Sequence, residues 1–204
     1  MKRVFLTHGW QSSPEKGILP WLKTELTNRE FEVFALSMPE PEYPKIETWV
    51  PFLQTQIGNP DENTILFGHS IGCQTILRYL QTLTEKQKIA GAVLLAGWLN
   101  LKDKAYEVDK DLKIARPWLD APLDWEYIKS KADDFVCIFS DNDPLVPLSD
   151  AEIFKEKLGA EIIIEKEKKH FEDKRGIKEL PSVLSSILKI ANKKTVKNCL
   201  FYVF

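Results

Sequence analysis

The chain has 204 residues, of which 44% are hydrophobic and 28% charged, enough apolar material for one domain with a substantial core. Its net charge of -2 gives no electrostatic case for nucleic acid or an anionic membrane as the main partner. No run approaches the roughly 18 apolar residues of a membrane span, and the apolar stretch after Lys2-Arg3 breaks at His8-Gly9, too soon for a signal peptide, so a cytoplasmic protein is expected.

In chain order, Val4 to Thr7 reads as a buried strand ending in His8-Gly9-Trp10, and Leu19 to Leu26 as an amphipathic helix. Phe31 to Leu36 alternates and is rich in β-formers, a second strand. Met38 to Pro44 holds three prolines, which rule out a regular element, and Trp49 to Ile57 is a helix with Pro51 tolerated in its first turn. Ile65-Leu66-Phe67 is a strand, and a helix carrying Ile76, Leu77 and Leu80 follows to about Leu83. Ala90 to Ala96 suits a central strand buried on both faces. Residues 97–131 are polar with scattered aromatics and read as a small cap of short helices and loops. Phe135 to Phe139 and Glu161 to Ile164 are the last strands; Leu148 to Leu158 and Ile177 to Ala191 are the last helices. Strands alternating with helices predict a parallel sheet covered on both faces, a three-layer α/β/α sandwich. Residues 1–191 form the expected domain. The tail, 192–204, ends in an apolar run that packs on the body, pairs with another chain or stays disordered; the sequence does not choose among these.

Between the third strand and its helix stands Gly68-His69-Ser70-Ile71-Gly72, the G-x-S-x-G pattern of a nucleophile elbow. A serine hydroxyl becomes a useful nucleophile only when a sharp turn pushes it out of the fold and a base meets it. The Ile71 amide lies at a helix N-terminus, where a free N–H and the helix dipole favour developing negative charge. In an α/β-hydrolase an acid and then a histidine follow in that order from later strand ends. Asp143, in Ser140-Asp141-Asn142-Asp143-Pro144, comes just after the fifth strand, and His170 after the sixth is the only histidine downstream of Ser70. Ser70, Asp143 and His170 are therefore the candidate nucleophile, acid and base. A second oxyanion amide is expected from Trp10, turned toward the site by Gly9. His8 and His69 are assigned to structure, with hydrogen bonding near the pocket as the alternative. Trp98, Trp118 and Trp125, with Trp10, either line a substrate pocket or fill the core.

The histidines at 8, 69 and 170 are not spaced as metal ligands, and no metal or organic cofactor is expected. Cys73, Cys137 and Cys199 are odd in number and lack a C-x-x-C pair, which suits buried thiols in a reducing compartment.

Taken together, HGW, MPEP, GHSIG, SDNDPLVP and the late HFED resemble the small serine hydrolases grouped around retinoblastoma-binding protein nine and the YdeN-type proteins. The resemblance spans nearly the whole chain to about Ile190. It implies a compact α/β-hydrolase with six parallel strands, a modest cap, and nucleophile, acid and base at Ser70, Asp143 and His170. One departure stands out: a glycine usually precedes the histidine, and here it is Lys169. The activity expected is hydrolysis of a small ester, thioester or amide, with a small-molecule acyl substrate and an unassigned oligomeric state. The rival reading is a protein-interaction module on the same scaffold, with a protein partner and a vestigial site. A phosphate-binding turn in a flavodoxin-like domain is a third option, but it lacks a Gly-Lys-Ser/Thr or G-x-G-x-x-G signature and leaves Asp143 and His170 without a role.

Overall fold

The computed structural model describes residues 1–106, 109–172 and 176–200. Among them six strands, β1 (Arg3–Thr7), β2 (Glu32–Leu36), β3 (Thr64–His69), β4 (Ile89–Leu95), β5 (Ala132–Ser140) and β6 (Glu161–Glu165), form one sheet in the order β2-β1-β3-β4-β5-β6. Every pairing is parallel. The helices are α1 (Leu19–Thr27), α2 (Ile46–Ile57), α3 (Ile71–Gln81), α4 (Asp109–Asp120), α5 (Trp125–Ser130), α6 (Asp150–Leu158) and α7 (Pro181–Leu200), with a 3₁₀ turn at Asp103–Tyr106. Over the described residues, no helix is long and apolar enough to cross a membrane.

Successive side chains of a strand point to opposite faces, so uninterrupted apolar strands feed two separate cores. Phe5, Leu66, Ala92, Leu94, Cys137 and Phe139 join Trp49, Leu53, Ile76 and Phe154 from α2, α3 and α6 on one face. Val4, Leu6, Ile65, Phe67, Val93 and Ile138 meet Leu22 and Leu26 of α1 and Val183 and Ile187 of α7 on the other. This is the α/β-hydrolase architecture, with both faces of the sheet covered.

Some boundaries differ from the sequence expectation. The second helix starts at Ile46 rather than Trp49, which moves Pro51 from the first turn into the interior. The extra turn extends an apolar face of Ile46, Trp49, Val50, Leu53 and Ile57, and burying it outweighs the one hydrogen bond that proline removes. The last helix begins later, at Pro181, and runs on to Leu200. The apolar ending expected to need cover reaches residues 201–204, which lie outside the described residues, as do Asp173 of the HFED motif and residues 107–108 of the cap segment.

Segment 97–131 crosses from β4 to β5 and carries α4 over the carboxyl end of the sheet. A buried arginine ties it down. The Arg78 guanidinium, on α3, donates to the carbonyls of Trp118 (2.5 Å) and Ala121 (3.0 Å) at the C-terminal end of α4 and to the Gln74 side chain. It also lies 5.6 Å from the Trp118 ring centre. Burial lowers its pKa to about 10, so it stays charged at neutral pH and faces the negative end of the helix dipole. Asp150 holds the root of the cap: its buried carboxylate accepts from the amides of Leu99 (2.6 Å) and Asn100 (2.8 Å) and from the Asn100 side chain (2.7 Å).

Candidate active site

From β1 the chain leads to β2 on one side, while β3 pairs on the other. Connections leaving β1 and β3 therefore diverge, and the crevice beyond their carboxyl ends is where ligands bind in open α/β sheets. Ser70 follows β3 and caps α3 with φ = 55° and ψ = -119°, a left-handed conformation unusual for a residue with a Cβ. Such strain costs of order 1–3 kcal/mol and persists only where the surroundings enforce it. Here they do: a Cβ on Gly68 would stand 2.7 Å from the Gly72 carbonyl carbon, and one on Gly72 would stand 2.7 Å from the Thr7 oxygen and 2.8 Å from the His8 oxygen. The two glycines let α3 press against β3 and β1, and the turn between strand and helix lifts Ser70 outward.

Asp143 and His170 arrive from the ends of β5 and β6. The Ser70 Oγ lies 2.9 Å from His170 Nε2, and His170 Nδ1 lies 2.8 Å from Asp143 Oδ2. The other carboxylate oxygen, Oδ1, accepts from the amides of Leu145 (2.8 Å) and Val146 (3.0 Å). Burial pushes the Asp143 carboxyl upward, but the hydrogen bond and charge of His170 and these two amides outweigh it, so its pKa stands below the usual range. An ionised Asp143 accepts the Nδ1 proton, which leaves Nε2 free to take the hydroxyl proton of Ser70. Lys102, at the start of the cap segment, donates from its Nζ to the Asp143 carbonyl (2.7 Å).

The loop after β1 lies against the elbow, with an added Gly9 Cβ only 3.5 Å from the Ser70 Cβ. His8 is buried beside it. The Met38 amide can only donate, so His8 Nε2 accepts from it (3.1 Å) and Nδ1 donates to the Gly9 carbonyl (2.7 Å). A trans peptide is planar, so holding the Gly9 carbonyl on one side directs the Trp10 N–H to the other. The proline-rich loop braces the same turn: Pro41 accepts from the Gln11 amide (2.9 Å), and Glu42 from the Trp10 indole (3.2 Å). Burial keeps the His8 pKa below its ordinary value. His69 donates from Nε2 to the His170 carbonyl (3.0 Å); burial, then the neighbouring His170, pushes its pKa down to about 3.

The loop before His170 is held in an uncommon shape. Glu167, Lys169 and Phe171 have φ of 57°, 53° and 55°. Lys169, directly before the histidine, therefore adopts the left-handed conformation, which costs a side chain about 1–2 kcal/mol.

Ser70 opens on a cleft of about 600 Å³, within the usual range for small-molecule sites. His8, Trp10, His69, Trp98 and His170 line it, with Leu101, Ala105, Ala115 and Leu145 on the cap side. Trp118 and Trp125 do not. Trp118 is buried in the core against Trp49, its indole donating to the Pro44 carbonyl (3.1 Å), and Trp125 packs edge-on against Phe154. The cap tryptophans thus divide, with only Trp98 facing the cleft. The sequence reading missed Arg78, Asp150 and Lys102, which carry no motif and act largely on backbone groups that are distant in the chain. Among the described residues no group of three or more His, Cys, Asp or Glu side chains is placed to hold a metal ion.

The model of the family described as serine hydrolase matches residues 4–189. YdeN of Bacillus subtilis (strain 168) is 27% identical over 194 residues, covering 95% of this chain and 98% of its own. Its crystal structure superposes with a TM-score of 0.85 over 93% of this chain and 98% of that one. The serine hydrolase RBBP9 of Rattus norvegicus is 26% identical, covering 89% and 88%. A carboxylesterase structure from Nitrososphaera gargenis shares the fold, with a TM-score of 0.70 at 13% identity over 95% and 92%. The chain belongs to the serine hydrolase family, among the small α/β-hydrolases of the YdeN and RBBP9 type.

Proposed function

We propose that this serine hydrolase cleaves a small ester, thioester or amide through an acyl-serine intermediate. The observation that carries the reading is the unbroken chain from Ser70 Oγ through His170 to Asp143, opening on a cleft with an apolar side. His170 takes the proton of Ser70 as Oγ attacks the carbonyl carbon, and Asp143 stabilises the imidazolium that results. The carbonyl oxygen gains the negative charge and is met by the amides of Trp10 and Ile71, each worth about 10²- to 10³-fold in rate. The tetrahedral intermediate collapses, and His170 returns the proton to the departing alcohol, thiol or amine. Water then repeats the sequence on the acyl-serine, releasing the acid and restoring Ser70. Trp98, Leu101, Ala115 and Leu145 offer an apolar wall under the cap for the acyl chain.

A fluorophosphonate probe tests the mechanism, since it phosphonylates an activated serine and leaves an unactivated one alone. Labelling of the wild-type protein that disappears in Ser70→Ala and falls sharply in His170→Ala is the expected outcome. A folded wild-type protein that does not react would overturn the acyl-serine reading in favour of an interaction module on the same scaffold.

A further inference from the structure

Three consecutive amides in the loop before His170 are each taken by a side chain from the end of β5 or from the loop after it that carries Asp143. The Glu167 N–H donates to Asp141 Oδ1 (2.8 Å), the Lys168 N–H to Ser140 Oγ (3.0 Å) and the Lys169 N–H to Asn142 Oδ1 (2.8 Å). The Ser140 hydroxyl in turn donates to Asn142 Oδ1 (3.0 Å). Both partners of that atom are donors, so the orientation of the Asn142 amide follows from its contacts. On its other side the histidine is held by the His69 ring at the His170 carbonyl.

We propose that Asn142 is a positioning residue for His170: its side-chain oxygen holds the Lys169 amide and keeps a lysine in the left-handed conformation that aims the histidine at Ser70. Lys169 has φ = 53°, a conformation that glycine takes freely and a lysine resists. Without an anchor, the peptide preceding His170 relaxes toward ordinary backbone angles and carries the imidazole with it. The neighbouring Asp143 fixes the ring of the same histidine at Nδ1. One short stretch, Ser140 to Asp143, thus sets both the ring and the backbone of His170. The inference rests on His170 being the base proposed above.

The test is a cycle of variants: Asn142→Ala, Lys169→Gly, the two combined, and Asn142→Asp, which keeps the acceptor. Three readouts are taken on each: hydrogen exchange at the residue 169 amide, the rate of fluorophosphonate inactivation, and kcat and KM on p-nitrophenyl acetate. Asn142→Ala is expected to speed exchange at Lys169 and to lower kcat and the inactivation rate about 10- to 100-fold, with KM changed less than about twofold. Lys169→Gly alone is expected to stay close to wild type. Combined with Asn142→Ala it restores activity to within about threefold of wild type, because glycine enters the left-handed conformation without the side-chain penalty that the anchor offsets. Asn142→Asp is expected to retain most activity, and it carries the test if the alanine variant does not fold. An unreactive wild-type protein would sink the catalytic reading alone, since exchange at Lys169 still reports the anchor. A reactive wild type with an equally reactive Asn142→Ala would overturn the positioning role, as would a slow alanine variant that Lys169→Gly fails to rescue, or an aspartate variant that is folded but as slow as alanine.

Discussion

Asp143 divides its two oxygens between two tasks, and the division makes a sharp prediction. Oδ1 is pinned by the Leu145 and Val146 amides, both obligatory donors. In the Asp143→Asn variant the carbonyl oxygen of the new side-chain amide has to occupy that site, so its NH₂ falls opposite His170 Nδ1. A donor there forces Nδ1 to accept and moves the imidazole proton to Nε2, where it can no longer receive the hydroxyl proton of Ser70. Asp143→Asn is expected to fold normally, as read by circular dichroism, and to lower kcat about 10⁴-fold. A loss of tenfold or less would show that the tautomer does not depend on Asp143. His8 is a quieter case of the same logic: its two nitrogens have opposite roles, set by Met38 and Gly9, and the result is a fixed direction for the Trp10 peptide.

Among the elements, the contact between β1 and α3 decides whether a site exists at all. Gly72 lies on the first turn of α3, and the atoms an added methyl would meet are the Thr7 and His8 carbonyls. Those are main-chain atoms at the end of a central strand, with no rotamer to swing aside. Gly72→Ala must therefore push helix from strand, at about 1–3 kcal/mol in stability. The strain falls on the residues that lead into Gly9 and Trp10, so activity is expected to drop as well. A thermal melt paired with esterase kinetics checks both parts; a variant with unchanged melting temperature and kcat would refute the close-packing argument. The cap illustrates the complementary point, since Arg78 and Gln74 reach it from the same helix that begins at Ser70. Ser70 and the roof over its cleft share one rigid support.

The whole molecule inherits a pH dependence from imidazoles kept neutral inside it. His8 and His69 have folded pKa values below their ordinary value, that of His69 about 3, whereas an unfolded histidine titrates near ~6.5. Below about pH 6.5 the unfolded chain binds protons that the folded chain does not, so stability falls as pH falls. Asp143 acts in the same direction lower down: its depressed pKa contributes stability above the unfolded carboxylate value, ~3.9, and this is lost as pH drops through the folded value. The melting temperature is expected to decline between about pH 6.5 and 4.5, and less so in His69→Gln. Calorimetry across that range decides it, and a flat profile in the wild type would overturn the claim.

The order of elements and the order of Ser70, Asp143 and His170 were legible in the chain. Both arise from local patterns: apolar runs set the strands, glycines mark the elbow, and chain direction in a parallel sheet brings every strand end to one side. Boundaries were less legible where local preference and burial compete, as at Pro51, which the apolar face of α2 carries into the helix. Periodicity announces that a side chain is buried but not against what, so Trp98, Trp118 and Trp125 looked alike until packing put Trp98 at the cleft wall, Trp118 deep in the core and Trp125 against the core's edge. The same holds for Asn142 and Lys169, 27 residues apart: the left-handed turn and the oxygen that anchors it meet only because β5 and β6 are neighbours in the sheet.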